Sequence, residues 1–226
     1  EIAPIELHNI FKYLYNYAAA QSRGSKSAIF VKELHELNIY GSAHGFLAQR
    51  KEMSSTEFSN IVNVACTQKD FAWAQDFILL HSGYLHADIR EDLTSLSKAM
   101  IAFEQGHFEE VIDLLKSTGS KDDHFILRSR TLLLRAYFEL DKDVNFIWDY
   151  CTSFKAQLGR TRKPHPAAVV ATLEFIRVFK LLLLEETDKQ GLINIIEDNP
   201  NLYFRNWLLA KTKTYKPMYA TRQQSK

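Results

Sequence analysis

The sequence predicts an all-α chain built from paired helices. Three observations carry that expectation. Apolar residues recur at three- and four-residue spacing along most of the length, beginning with Leu7, Ile10, Phe11, Leu14, Tyr17 and Ala18. Alternating apolar and polar runs bounded by turn residues, the mark of strands, are missing. Eight glycines and five prolines in 226 residues are too few for a turn-rich β domain.

The elements follow in order. After the first helix, Ser22-Arg23-Gly24-Ser25 breaks the pattern. A short second helix carries Phe30, Val31, Leu34 and Leu37, and Tyr40 to Met53, with Gly41 and Gly45, reads as a longer connection with room for some helix. Ser54 and Glu57 form a capping-box pair opening a helix with Phe58, Ile61, Val62 and Ala65 on one face. Phe71, Ala74, Phe77 and Ile78 mark the next. Ile89, Leu93, Leu96, Met100 and Phe103 follow, then Gly106, then Phe108, Val111, Ile112 and Leu115. Ile126, Leu133, Ala136, Tyr137 and Leu140 precede a turn at Asp141-Lys142-Asp143. Val144, Ile147, Cys151, Phe154 and Leu158 resume the pattern. Gly159 to Pro166 breaks it again, with Pro166 suited to a first helical turn. A long apolar helix runs from about Ala167 to Glu186. Thr187 and Gln190 offer a second capping box, and a terminal helix holds Leu202, Trp207 and Leu208.

Composition narrows the class. Hydrophobic residues make 46% and charged residues 24%, a globular balance rather than that of a disordered chain. Two cysteines, Cys66 and Cys151, both in helical apolar patterns, read as buried thiols in a reducing compartment, and a cytoplasmic location is expected. No apolar run approaches the roughly 20 residues that span a bilayer, so no membrane contact is expected. The first residue is Glu1 rather than Met, which suggests a piece of a longer protein.

Net charge is +1, but it is unevenly placed. Residues 1–149 hold 15 basic and 21 acidic side chains, whereas residues 199–226 hold six basic and no acidic ones. Lys155, Arg160, Arg162 and Lys163 add a second acid-free basic stretch. These can attract an acidic partner or nucleic acid, or simply form a solvated loop and tail.

An internal repeat accompanies the helices. Thr67-Gln68-Lys69-Asp70-Phe71-Ala72-Trp73-Ala74 aligns with Glu104-Gln105-Gly106-His107-Phe108-Glu109-Glu110-Val111, and Ala136 to Asp141 begins a third copy. The turn positions Lys69, Gly106 and Asp141 lie 37 and 35 residues apart. With its helix–turn–helix unit and the run Ala102 to Ile112, this resembles the tetratricopeptide repeat family, whose period is about 34 residues. Val111 and Phe146 stand where that family usually has Ala, and no proline closes a repeat near Asp123. The chain is also similar in flavour to bacterial helical-repeat proteins. The resemblance implies a right-handed α-α superhelix of about five helix pairs plus a terminal helix. It implies one repeat domain over residues 1–212, clearest at 55–158, and a basic C-terminal tail at 213–226.

Catalytic and metal-binding patterns are not found. Eight histidines include no zincin spacing, and His81 and His86 are five apart across Gly83. Gly24-Ser25-Lys26-Ser27 lacks the earlier glycine and the Gly-Lys pair of a phosphate loop. Glu109-Glu110 and Glu185-Glu186 are adjacent on helices and point apart. No cofactor, metal or catalytic residue is therefore assigned.

What the resemblance implies is a non-catalytic scaffold that receives a peptide or partner protein. Ser59 and Asn63 on one helix, and Arg128, Thr131, Arg135 and Glu139 on another, fall off the apolar faces as candidate partner-binding residues. Arg128 and Arg135 lie two turns apart, where they form an ordinary solvated arginine stripe or could clamp a partner carboxylate. The alternatives are nucleic-acid or acidic-partner binding through residues 155–163 and the tail, or the helical part of a larger enzyme or regulator.

Overall fold

The structure, a computed structural model, describes residues 4–22, 27–47, 52–116, 122–159, 166–184, 187–199 and 202–215. Among them are eleven α-helices and no β-strand. The chain packs as two compact units, Glu1–Phe125 and Ile126–Lys226, where the sequence suggests one repeat domain over 1–212.

The first unit holds α1 (Pro4–Gln21), α2 (Ser27–Ala43), α3 (Ser55–Thr67), α4 (Phe71–His81), α5 (Ala87–Glu104) and α6 (Phe108–Leu115). A single 3-10 turn, Ser82–Tyr84, follows α4. Helix α1 packs on α2, α2 on α3, α3 on both α4 and α5, and α5 on α6. Phe58, Ile61, Val62 and Ala65 of α3 are fully enclosed, as the three-four spacing predicts. Phe77, Leu93, Leu96 and Val111 complete this core. Ala18, Leu34 and Val64 join α1, α2 and α3 in a smaller cluster.

Helix α2 runs on through Gly41 to Ala43, into the stretch that the sequence reads as a connection with room for some helix. Gly41 is a packing glycine, because a Cβ there would lie 2.6 Å from the Phe11 ring and 3.0 Å from Leu47. Absence of a side chain lets α1 approach α2 closely, and that contact outweighs the poor helix propensity of glycine.

Three turns share one hydrogen-bond pattern. Lys69, Gly106 and Asp141 all take left-handed backbone, with φ of 59°, 84° and 52°. After each, an amide reaches back five residues: Asp70 to Ala65, His107 to Ala102 and Lys142 to Tyr137. The left-handed residue itself donates three residues back, to Cys66, Phe103 and Phe138. This paired closure satisfies carbonyls that the helix end leaves open. Phe108 folds back edge-on to Phe103 at 5.2 Å, yet it stays half-buried, so its truncation costs less than that of an enclosed core phenylalanine.

The second unit contains most of α7 (Asp123–Glu139), which begins just before the division, with α8 (Val144–Leu158), α9 (Pro166–Leu183), α10 (Lys189–Glu197) and α11 (Arg205–Thr214). Its core gathers Leu134, Phe138, Cys151, Phe154, Phe175, Phe179, Leu192 and Leu208. Pro166 does open α9, where its missing N–H is no loss. Ser54 caps α3 by accepting from the Glu57 amide at 3.2 Å. The cap of α10 is Asp188 rather than Thr187: its carboxylate accepts from the amides of Gln190 and Gly191 at 3.2 and 2.8 Å. A carboxylate at a helix N-terminus also meets the positive end of the dipole. Glu185 and Glu186, the Gly24-Ser25-Lys26 stretch and Arg160, Arg162 and Lys163 lie outside the described residues, as does the tail from residue 216.

Candidate functional site

The sequence places six candidate residues on helix surfaces, and the structure encloses several of them. On α7, Arg135 is only 6% exposed and Thr131 only 3%. The Arg135 guanidinium lies 4.2 Å from the centre of the Phe204 ring and 5.2 Å from that of Trp207. Thr131 Oγ1 donates to the Leu127 carbonyl at 2.7 Å, a bond within its own helix. Glu139 accepts from Trp207 Nε1 at 2.6 Å and from Lys211 Nζ at 2.5 Å. Burial holds the Arg128 guanidinium below its usual range, opposed in part by nearby Tyr203. Thus Arg135 and Glu139 are engaged with Phe204, Trp207 and Lys211 and do not stand on an open face of α7.

Phe204, just before α11, takes left-handed backbone with φ of 55°, which is costly for a side chain of this size. Its ring packs edge-on to Phe175 at 5.5 Å and covers Arg135. Arg205, next along, donates to the carbonyls of Ile196 and Glu197 at 3.1 Å each and so closes the end of α10.

On α3 the two candidates part company. Ser59 is fully buried and is corrected to a core position, whereas Asn63 is exposed. Lys155, of the basic stretch, is exposed at the end of α8.

A polar seam crosses the first unit along α2. His35, Asn38 and Ser42 lie on one face at three- and four-residue intervals. His35 Nε2 is 3.0 Å from Asp70 Oδ2, and its ring stands edge-on to Trp73. Ser42 Oγ and His81 Nε2 share a hydrogen bond of 2.8 Å. Burial holds the His81 ring below its usual pKa and favours the neutral form. A serine paired with a neutral imidazole can relay a proton. Ser42, however, sits in the last turn of α2, where the helix dipole opposes a developing negative charge. The pair ties α2 to α4. Both cysteine thiols are pushed up to about 12, chiefly by burial, and are not poised as nucleophiles.

A surface groove lies between α4, α5 and α6. It is shallow, with a volume of about 300 Å³. Gln75, Ile78 and Leu79 form one wall, Lys98, Ile101, Ala102 and Gln105 the other, and Glu110 stands at the α6 side. Of these lining residues Ile78, Ile101 and Ala102 are buried and give the groove its apolar base. Leu79 is 75% exposed and Leu80 beside it 70%. The sequence holds a clue to this surface. Phe77-Ile78-Leu79-Leu80 is an unbroken apolar run on one helix, and four residues spaced about 100° apart cannot all face one core.

Among the described residues no group of three or more His, Cys, Asp or Glu side chains could hold a metal ion. No helix among them is long and apolar enough to cross a membrane. No protein-family model, curated protein or solved structure matches the chain.

Proposed function

We propose that this chain is a protein-interaction scaffold that receives a peptide or partner segment in the α4–α5–α6 groove. The observation that carries the reading is Leu79, an aliphatic side chain left three-quarters exposed on the wall of an apolar-floored groove. Leaving such a side chain in water forgoes roughly 1.5–3 kcal/mol of burial, which a partner's apolar residue can recover. Lys98 and Glu110 supply one charge of each sign at the groove. They favour a ligand with an aliphatic anchor flanked by opposite charges. The recurrence of one turn geometry at Lys69, Gly106 and Asp141 supports the tetratricopeptide-like reading of residues 55–158.

The test is selection of linear peptides by display against the immobilised full chain. The selected peptides should lose at least about tenfold in affinity for a Leu79→Glu variant whose helical content and unfolding midpoint match the parent. Peptides that bind Leu79→Glu as well as the parent would overturn the assignment.

A further inference from the structure

The two histidine bonds of the α2 seam stand at opposite ends of α4. His35 Nε2 donates to Oδ2 of Asp70, the N-cap of α4, whose Oδ1 accepts from the Trp73 amide. His81, the last residue of α4, bonds Ser42, which lies two turns beyond His35 on α2. Between them Asn38 is fully buried, and neither polar atom of its side chain has a protein partner. The polar seam between α2 and α4 is therefore held at its two ends.

The ends differ in what a proton does to them. At the first, a proton added to His35 sets a cation 3.0 Å from a carboxylate. At the second, the His81 ring stacks on Phe77 at 4.6 Å and meets Tyr84 at 5.6 Å, and its Nδ1 is buried without a partner. Both ring nitrogens are donors in the cation, so Nδ1–H would be stranded among apolar rings together with the charge. Burial alone depresses the His81 pKa, and no neighbouring charge takes part. The other titratable or charged groups at this end are engaged elsewhere. Arg90 of α5 donates to the Gly83 and Leu85 carbonyls, and His86 lies beside Asp88. His8 of α1 stands edge-on to Phe46, and His44 bonds the Tyr40 carbonyl. Glu57 of α3 interacts with Lys12 and Tyr15 of α1.

We propose that the Ser42–His81 bond is an acid-released latch: protonation of His81 lets the C-terminal end of α2 lift from α4, while the His35–Asp70 end stays closed. The packing favours opening at one end. Ala18, Leu34 and Val64, with Phe30 and Val31 packed on them, hold the other end of the α1–α2 pair on α3. At the latch end the Phe11 ring fills the space over Gly41 and packs on Phe46, so the first half of α1 moves with the end of α2. Opening bares the rings of Phe77, His81 and Tyr84, and acid thereby uncovers apolar surface on the first unit. Because the folded pKa of His81 lies below its unfolded value, the latch is closed above about pH 6.5 and yields as pH falls through the folded value.

Hydrogen exchange of the full chain between about pH 7.5 and pH 5, expressed as protection factors to remove the intrinsic pH dependence, tests this. Residues 38–47 and 77–85 should lose protection at least about tenfold on acidification, with residues 30–36, 58–66 and the second unit unchanged. His81→Gln, which can still bond Ser42 but takes no proton, should abolish the loss. His35→Gln and His8→Gln should leave it in place. In the parent chain the loss should share its midpoint with the His81 ring resonances followed by proton NMR, a reading that needs no variant to fold. Uniform loss across the first unit, a loss that survives His81→Gln, or a midpoint belonging to another histidine would overturn the proposal. So would constant protection down to pH 5.

Discussion

Glu139 accepts hydrogen bonds from Trp207 Nε1 on one carboxylate oxygen and from Lys211 Nζ on the other. The two partners are 68 and 72 residues further along the chain. The indole also stacks on Phe179, with ring planes 14° apart and centres 6.0 Å apart. One carboxylate thus pins the last helix of the second unit to α7.

Replacing Glu139 with Ala should destabilise the second unit by about 1–2 kcal/mol, because it strands a partly buried indole N–H and a partly buried ammonium. Denaturant unfolding measures the loss. Tryptophan emission should shift to the red in the folded variant if Trp207 gains water.

Left-handed turns give opposite outcomes at equivalent positions. Gly106→Ala should cost about 1 kcal/mol, all of it from backbone conformation, since nothing lies within 4 Å of the added Cβ. Lys69→Gly, at φ of 59°, should instead gain about 0.5 kcal/mol. Thermal unfolding of the two variants checks the pair; destabilisation by both would contradict a shared turn geometry.

The His81 ring gives the first unit a pH dependence. Its folded pKa is depressed by burial, so the unfolded chain binds the proton more readily. Stability from this group is complete above the unfolded value of about 6.5 and is lost as pH falls below it, down through the depressed folded value. Denaturant midpoints at pH 7 and pH 5 should therefore differ less for His81→Gln, which can still accept from Ser42, than for the parent.

The two thiols should be silent in the native chain. With Cys66 and Cys151 pushed up to about 12, neither is a thiolate near pH 8. A chromogenic disulfide reagent should label neither within minutes, and both once denaturant is added. Fast native labelling would contradict the burial of these side chains.

Periodicity made the helices legible, since Phe58, Ile61, Val62 and Ala65 recur on one face and all reach zero exposure. It left the end of α2 open at Gly41, where a close approach to Phe11 keeps the helix going, a tertiary fact that local propensity does not carry. The α7 candidates misled for a related reason. Arg135 and Glu139 are polar off the first apolar face, yet Phe204 and, on α11, Trp207 cover that second face. Residues 65 or more positions away decide this, and helical spacing cannot report them. Leu79 and Leu80 were visible as the excess of an apolar run, but which of the four turned outward depended on where α5 packs.

Hydrogen–deuterium exchange on the full chain, with and without a display-selected peptide, tests the binding-groove reading most directly. The account predicts slowed exchange in residues 75–82 and 98–110, with α7 and α11 unchanged. Protection confined to α3, α7 or the second unit, with the groove exchanging as before, would contradict it.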